Sequence, residues 1–268
     1  MSEIMEIDLS HLDVLVGVDM TAWKRPERLS EPRIWLRENG FVVRDVTPDF
    51  DHFVLKHMET HFLRDEPINQ ALDTAGDPLA SAEMRALWSC LMLPVRVSLV
   101  TIQEGTPGAN LEKVSAENPP VIIGVNQLFV TKKDDPEVPD FNTVLKSEKV
   151  KLCIGTFIET GEMVNVYERY GVDTYIDGGG MCVDPAWRGK GIGNLLVKAR
   201  NILCKEMGIP LTKTVFSAIQ SQKVALKGGF ELLGERIYAE MKDEKGDLLF
   251  PNMHPDQKKI QVMARLVD

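Results

Sequence analysis

Basic residues are in short supply in this 268-residue chain. Its 31 lysines and arginines face 40 aspartates and glutamates, for a formal charge of −9 and a pI near 5.2. Such a field repels a phosphate backbone, which disfavours general nucleic-acid binding and suits a cationic small molecule. Paired cysteines are missing as well. Cys90, Cys153, Cys182 and Cys204 lie far apart, without a C-x-x-C motif or a histidine at ligand spacing, so neither a metal site nor a redox pair is expected. No uncharged apolar run approaches the roughly 20 residues that span a bilayer. ALWSCLMLPV and VIIGVNQLFV stop at about ten, and a membrane partner is not expected. The opening MSEIMEIDLSHLD is acidic and has no apolar stretch before a small-residue cleavage site, so it does not read as a secretory leader. Together these features point to reduced thiols and a cytoplasmic location.

Internal repeats and low-complexity tracts are also absent. What is present is an ordinary hydrophobic share of 44%, in a length that suits one large domain or two small ones. Residues 1–39, with scattered apolar groups and a basic WKRPER stretch, show no sustained period and read as an N-terminal extension to a domain over 40–268. Strand patterns occur at FVVRDV (41–46), VRVSLVTI (95–102), VIIGVNQLFV (121–130), TYIDGGGMCV (174–183), LTKTVFS (211–217), and near 232–241 and 259–266. Helices are read from TPDFD to about His61, over about 70–88, up to Gly171, and from Ile192 onward. In the last of these, Ile192, Leu195, Leu196, Ala199, Ile202 and Leu203 share one helical face. The order predicts an α/β fold: a mixed, largely antiparallel central sheet of about seven strands with helices on both faces.

The densest signal is CVDPAWRGKGIGNLLVKAR, Cys182 to Arg200, where a strand runs through a glycine-rich turn into that helix. A helix N-terminus offers unpaired N–H groups and a partial positive charge, so it suits a phosphate. Gly189, Gly191 and Gly193 let a ligand approach closely, and Arg188 and Lys190 add charge at the rim. A dinucleotide-binding G-x-G-x-x-G would need glycine where Asn194 stands, and a P-loop would need Ser or Thr where Gly191 follows Lys190.

The remaining pattern, R-x-x-G-x-G at Arg188, Gly191 and Gly193, resembles the coenzyme-binding signature of the GNAT superfamily of acyl-coenzyme A dependent N-acyltransferases. Within it the chain is most similar to the insect arylalkylamine N-acetyltransferase group, through YGVDTYIDGGGMCVDPAWRGKGIG, FLRDEPIN and the KKIQVMARLV ending. The resemblance spans roughly Phe41 to Asp268. It implies a GNAT fold, acetyl-CoA as donor, and a small primary amine as acceptor.

The resemblance also implies site residues. Met181, Cys182 and Val183 become the strand whose backbone faces the pantetheine arm, while Arg188, Gly189, Lys190, Gly191, Ile192 and Gly193 cradle the pyrophosphate. The glycines at 178–180 depart from the bulky residues expected there. Glu66 matches the glutamate that serves as general base, with Asp65 beside it to orient the loop. The thiolate-side tyrosine of many members falls at Ala225. Two serines, Ser217 and Ser221, match those of the insect group and are the candidates for proton transfer. The expected reaction is direct attack in a ternary complex. Other acceptors (polyamines, amino acids), longer acyl donors and a non-catalytic coenzyme-binding module are the competing readings; oligomeric state is unread.

Overall fold

The alternating segments assemble into one sheet in a computed structural model that describes residues 7–267. Its strands are β1 (Ile34–Glu38), β2 (Phe41–Asp45), β3 (Leu99–Gln103), β4 (Ile122–Lys132), β5 (Thr174–Val183), β6 (Leu211–Phe216), β7 (Glu231–Ile237) and β8 (Lys259–Leu266). They lie in the order β1-β2-β3-β4-β5-β6-β8-β7. All neighbours are antiparallel except β5 and β6. The mixed, largely antiparallel sheet therefore matches expectation, with eight strands rather than about seven.

The additional strand is β1, which comes from the segment read as an extension. Asn39 (φ 55°) and Gly40 (φ 77°) make a two-residue turn with positive φ at both positions, and this folds β1 back onto β2. Upstream, Leu12 and Leu15 enter the core on one sheet face and Leu29 enters the core on the other. Arg25 fixes the crossing by an ion pair with the buried Asp45 at 2.6 Å. Of the extension, residues 1–6, the first part of the acidic opening, lie outside the described residues.

Helix Ile192–Met207 covers one face. Ile192, Leu195, Leu196, Ala199 and Leu203 are buried against Ile123, Leu128, Val130 and Ile176, with Ile202 partly buried beside them. The opposite face carries residues 51–65, residues 78–92 and helix Glu148–Gly161. The first of these runs past His61, through a π turn at Met58–Phe62, to Asp65. The single helix expected over about 70–88 is two. Asp73 takes a left-handed conformation after Pro67–Leu72, and Pro78, capped by Asp77, starts Pro78–Leu87. Similarly, the helix ending at Gly171 is Glu148–Gly161 followed by a short turn, Val166–Tyr170.

Candidate functional site

Two parallel strands that separate are the central feature. β5 and β6 are in register only at Tyr175 with Leu211 and Ile176 with Thr212. Beyond that point β5 continues to Val183 and β6 to Phe216 without pairing, so a cleft opens between them. Along it, Met181, Cys182 and Val183 pair on one side only, with Asn126, Val125 and Gly124 of β4. The Met181 and Val183 side chains pack with the Ile192–Met207 layer, while Cys182 faces the opposite core.

The glycines at 178–180 have a steric reason. Gln127 opposes Gly180 and Leu128 opposes Gly178, so Gly179 is the extra residue of a bulge. A Cβ on Gly179 would stand 2.1 Å from the Met92 sulfur. One on Gly180, whose φ is 139°, would press on Met58 and Phe62. The bulge carbonyls are held by side chains: Trp88 Nε1 donates to that of Gly179 (3.3 Å) and Asn126 Nδ2 to that of Gly180 (3.2 Å).

At the far end of β5 lies the glycine turn. Gly189 and Gly191 have φ of 77° and 82°, and nothing stands within 4 Å of where their Cβ atoms would be. Gly191 is the N-cap of Ile192–Met207, and no side chain caps that helix. Its first N–H groups are therefore available to a ligand. Gly193, in the first helical turn, differs from these two: a Cβ there would rest in ordinary contact with Val224. Arg188 donates to the Val183 carbonyl (3.1 Å) and pairs with Asp65. Lys190 lies over the Trp187 ring, 4.4 Å from its centroid, and Trp187 meets Phe41 edge-on. Together, the unfilled glycine positions, the uncapped helix start and the one-sided strand fit a diphosphate followed by an extended arm.

Glu66 lies where residues 51–65 end. Pro67 forces an extended backbone on it, and its carboxylate caps helix Pro67–Leu72, accepting from Ile68 N (3.1 Å), Asn69 N (2.7 Å) and Asn69 Nδ2 (2.7 Å). Only 7% of the residue is exposed. Burial pushes its carboxyl above the usual range, against the opposing pull of the nearby Ser217 hydroxyl and the hydrogen bonds from Asn69 and Ile68. Ser217, buried at the end of β6, lies beside Glu66, and the Tyr238 hydroxyl donates to the Ser217 carbonyl at 3.0 Å. Cys153 and Tyr238 lie close enough to Glu66 for burial and its charge to push both up.

Not all of the expected residues gather here. Ser221 is half-buried in the first turn of helix Ile219–Lys227, and its hydroxyl donates to the Ala218 carbonyl at 2.8 Å. Ala225 is buried among Val197, Phe216 and Phe230. Sequence reading missed Asn69, Tyr238, Trp88 and Met92. Asn69 was visible inside DEPIN as the N3 partner of Glu66; the other three carry no local signal.

No protein-family model matches the chain. Among solved structures, it is similar to a protein from the yellow fever mosquito Aedes aegypti named as arylalkylamine N-acetyltransferase 7. The two share 29% identity over 92% of this chain and 100% of that one, with a TM-score of 0.79. Arylalkylamine N-acetyltransferase 2 from the same mosquito follows at 22% identity, 86% and 100% coverage and a TM-score of 0.69. A Drosophila melanogaster polyamine N-acetyltransferase shares the fold at 14% identity, 84% and 99% coverage and a TM-score of 0.63. The chain has the fold of the GNAT N-acetyltransferases. Within that fold it departs from the bulky strand expected at the bulge, for the steric reason given above. Among the described residues no helix is long and apolar enough to cross a membrane.

Proposed function

We propose that the chain transfers an acetyl group from acetyl-CoA to the primary amine of a small, arylalkylamine-like acceptor. The observation that carries this reading is the separation of β5 from β6 between an uncapped, glycine-lined helix start and the buried carboxyl of Glu66. Residues 188–193 would hold the diphosphate, and the backbone of 181–183 the pantetheine arm. The coenzyme's thioester supplies the activated acyl group. The amine similarity is supported by the name of the mosquito protein at 29% identity, and the acidity of the chain suits a cationic acceptor. Cytoplasmic action is part of the same reading, consistent with four free cysteines.

The chain's own contribution is proton management. An alkylammonium of pKa near 10.4 is unprotonated about once in 2,500 molecules at pH 7, so generating the free amine is worth up to about 4.6 kcal/mol. In this reading Glu66 takes that proton, since a carboxyl raised by burial is a better-matched base than a solvated one. Ser217, beside Glu66, relays or holds the proton. Ser221 is the candidate on the coenzyme side. The acceptor takes the acyl group directly, with both substrates bound.

The test is thiol release from acetyl-CoA across a panel of arylalkylamines, polyamines, agmatine and amino acids. The reading expects the highest kcat/KM with an arylalkylamine. A polyamine or amino acid that outperforms every arylalkylamine would overturn the acceptor class.

A further inference from the structure

One buried charge has no part in the chemistry above. Arg200, on helix Ile192–Met207, is 2% exposed and forms no ion pair among the described residues. Its Nη2 donates to the carbonyl of Ile176 in β5 (3.0 Å) and to that of Lys213 in β6 (2.8 Å). The hydroxyl of Thr212 also donates to the Ile176 carbonyl, at 3.2 Å. These groups lie where the β5–β6 pairing stops, after Ile176 and Thr212.

A buried guanidinium without a counter-charge is costly, and burial lowers its pKa to about 10, which leaves it a cation at neutral pH. Its Nε is buried without a partner. What the cation gains is two strand carbonyls that a continuous parallel ladder would satisfy with backbone amides. The space is tight on the cleft side too: a Cβ on Gly178 would stand 2.7 Å from Thr214 Oγ1 and 3.2 Å from Arg200 Nη1. Behind the guanidinium lies the Phe230 ring, 5.7 Å away.

We propose that Arg200 is a positioning residue: a wedge that occupies the carbonyls of both strands and so fixes the width of the cleft. This rests on the reading that the cleft receives the pantetheine arm of acetyl-CoA. Arg200 is then required for the arm and not for the diphosphate.

The test compares two ligands by calorimetry on wild type, Arg200→Met and Arg200→Lys, with thermal melts to confirm folding. Acetyl-CoA needs both the turn and the cleft, whereas adenosine 3′-phosphate 5′-diphosphate, which carries the diphosphate without the arm, needs only the turn. Arg200→Met should weaken acetyl-CoA about tenfold or more and leave the adenosine nucleotide within about twofold. Arg200→Lys keeps the charge without the fork and should fall between. If Arg200→Met does not fold, Arg200→Lys decides by the same ratio, with a loss of about threefold expected for acetyl-CoA alone. Equal weakening of both ligands, or of neither, overturns the wedge. A wild-type chain that binds neither ligand overturns the coenzyme reading itself, and the wedge with it.

Discussion

The Ser217 side chain lies beside the buried Glu66 carboxyl, bringing the end of β6 up to the loop that follows residues 51–65. The same carboxylate caps helix Pro67–Leu72. Under the proposed function, catalysis and local stability are carried by one group, and the two can be separated by choice of substitution.

Glu66→Gln keeps the size of the side chain and one carbonyl oxygen for the cap. It should lower kcat by about 10²–10⁴ while acetyl-CoA affinity changes less than about twofold. Glu66→Ala should show the same rate loss and, in addition, lose about 1 kcal/mol of stability with the cap. Steady-state kinetics beside thermal melts reads both effects. A Glu66→Gln enzyme of near-normal rate would exclude Glu66 as the base.

The pH dependence follows from the raised carboxyl. A base must be ionised, so kcat/KM should rise with pH along a limb lying above the usual 4.5, and Glu66→Gln should remove that limb. The stability sign is the opposite. With the folded pKa above the unfolded one, the neutral form is favoured in the native state, and this contribution is lost as pH rises through the folded value. Wild type should therefore lose stability relative to Glu66→Gln across that interval, as melts at a series of pH values would show.

The bulge yields a packing test. Gly179→Ala places a methyl on the Met92 sulfur and should cost about 1–3 kcal/mol together with most of the activity. Met92→Ala in the same chain should restore part of both. Additive effects would mean that the two residues are not in contact.

Arg188 pairs with Asp65 while both side chains remain substantially exposed, so the pair itself is worth about 0–1 kcal/mol. Arg188→Ala should leave the melting temperature almost unchanged and weaken acetyl-CoA binding by about tenfold, less so at high salt. Asp65→Ala should leave binding unchanged or tighter, because it frees the arginine for a phosphate. Weaker binding in Asp65→Ala would assign that carboxylate a direct role at the site.

Much of this was legible in the chain. The 174–183 and 259–266 strands and the helix from Ile192 have the observed bounds, because each shows a clear period closed by glycine, proline or a charged turn. The missed β1 was signalled by Asn39-Gly40 between apolar alternations, the strongest short hairpin signal, but the surrounding prolines and charges masked the pattern. The cap role of Glu66 was readable from Pro67 and Asn69. Its meeting with Ser217 was not, since that depends on how β6 and the loop after residues 51–65 are brought together by the sheet. Likewise Met92, Trp88 and Arg200 act through contacts made across layers, which no local pattern encodes.

The most direct measurement is a calorimetric titration of the purified chain with acetyl-CoA at low ionic strength. The account expects saturable binding at one site per chain, lost on Arg188→Ala paired with Gly191→Val, which strains the turn at its positive φ. Absence of saturable heat up to millimolar acetyl-CoA would contradict it.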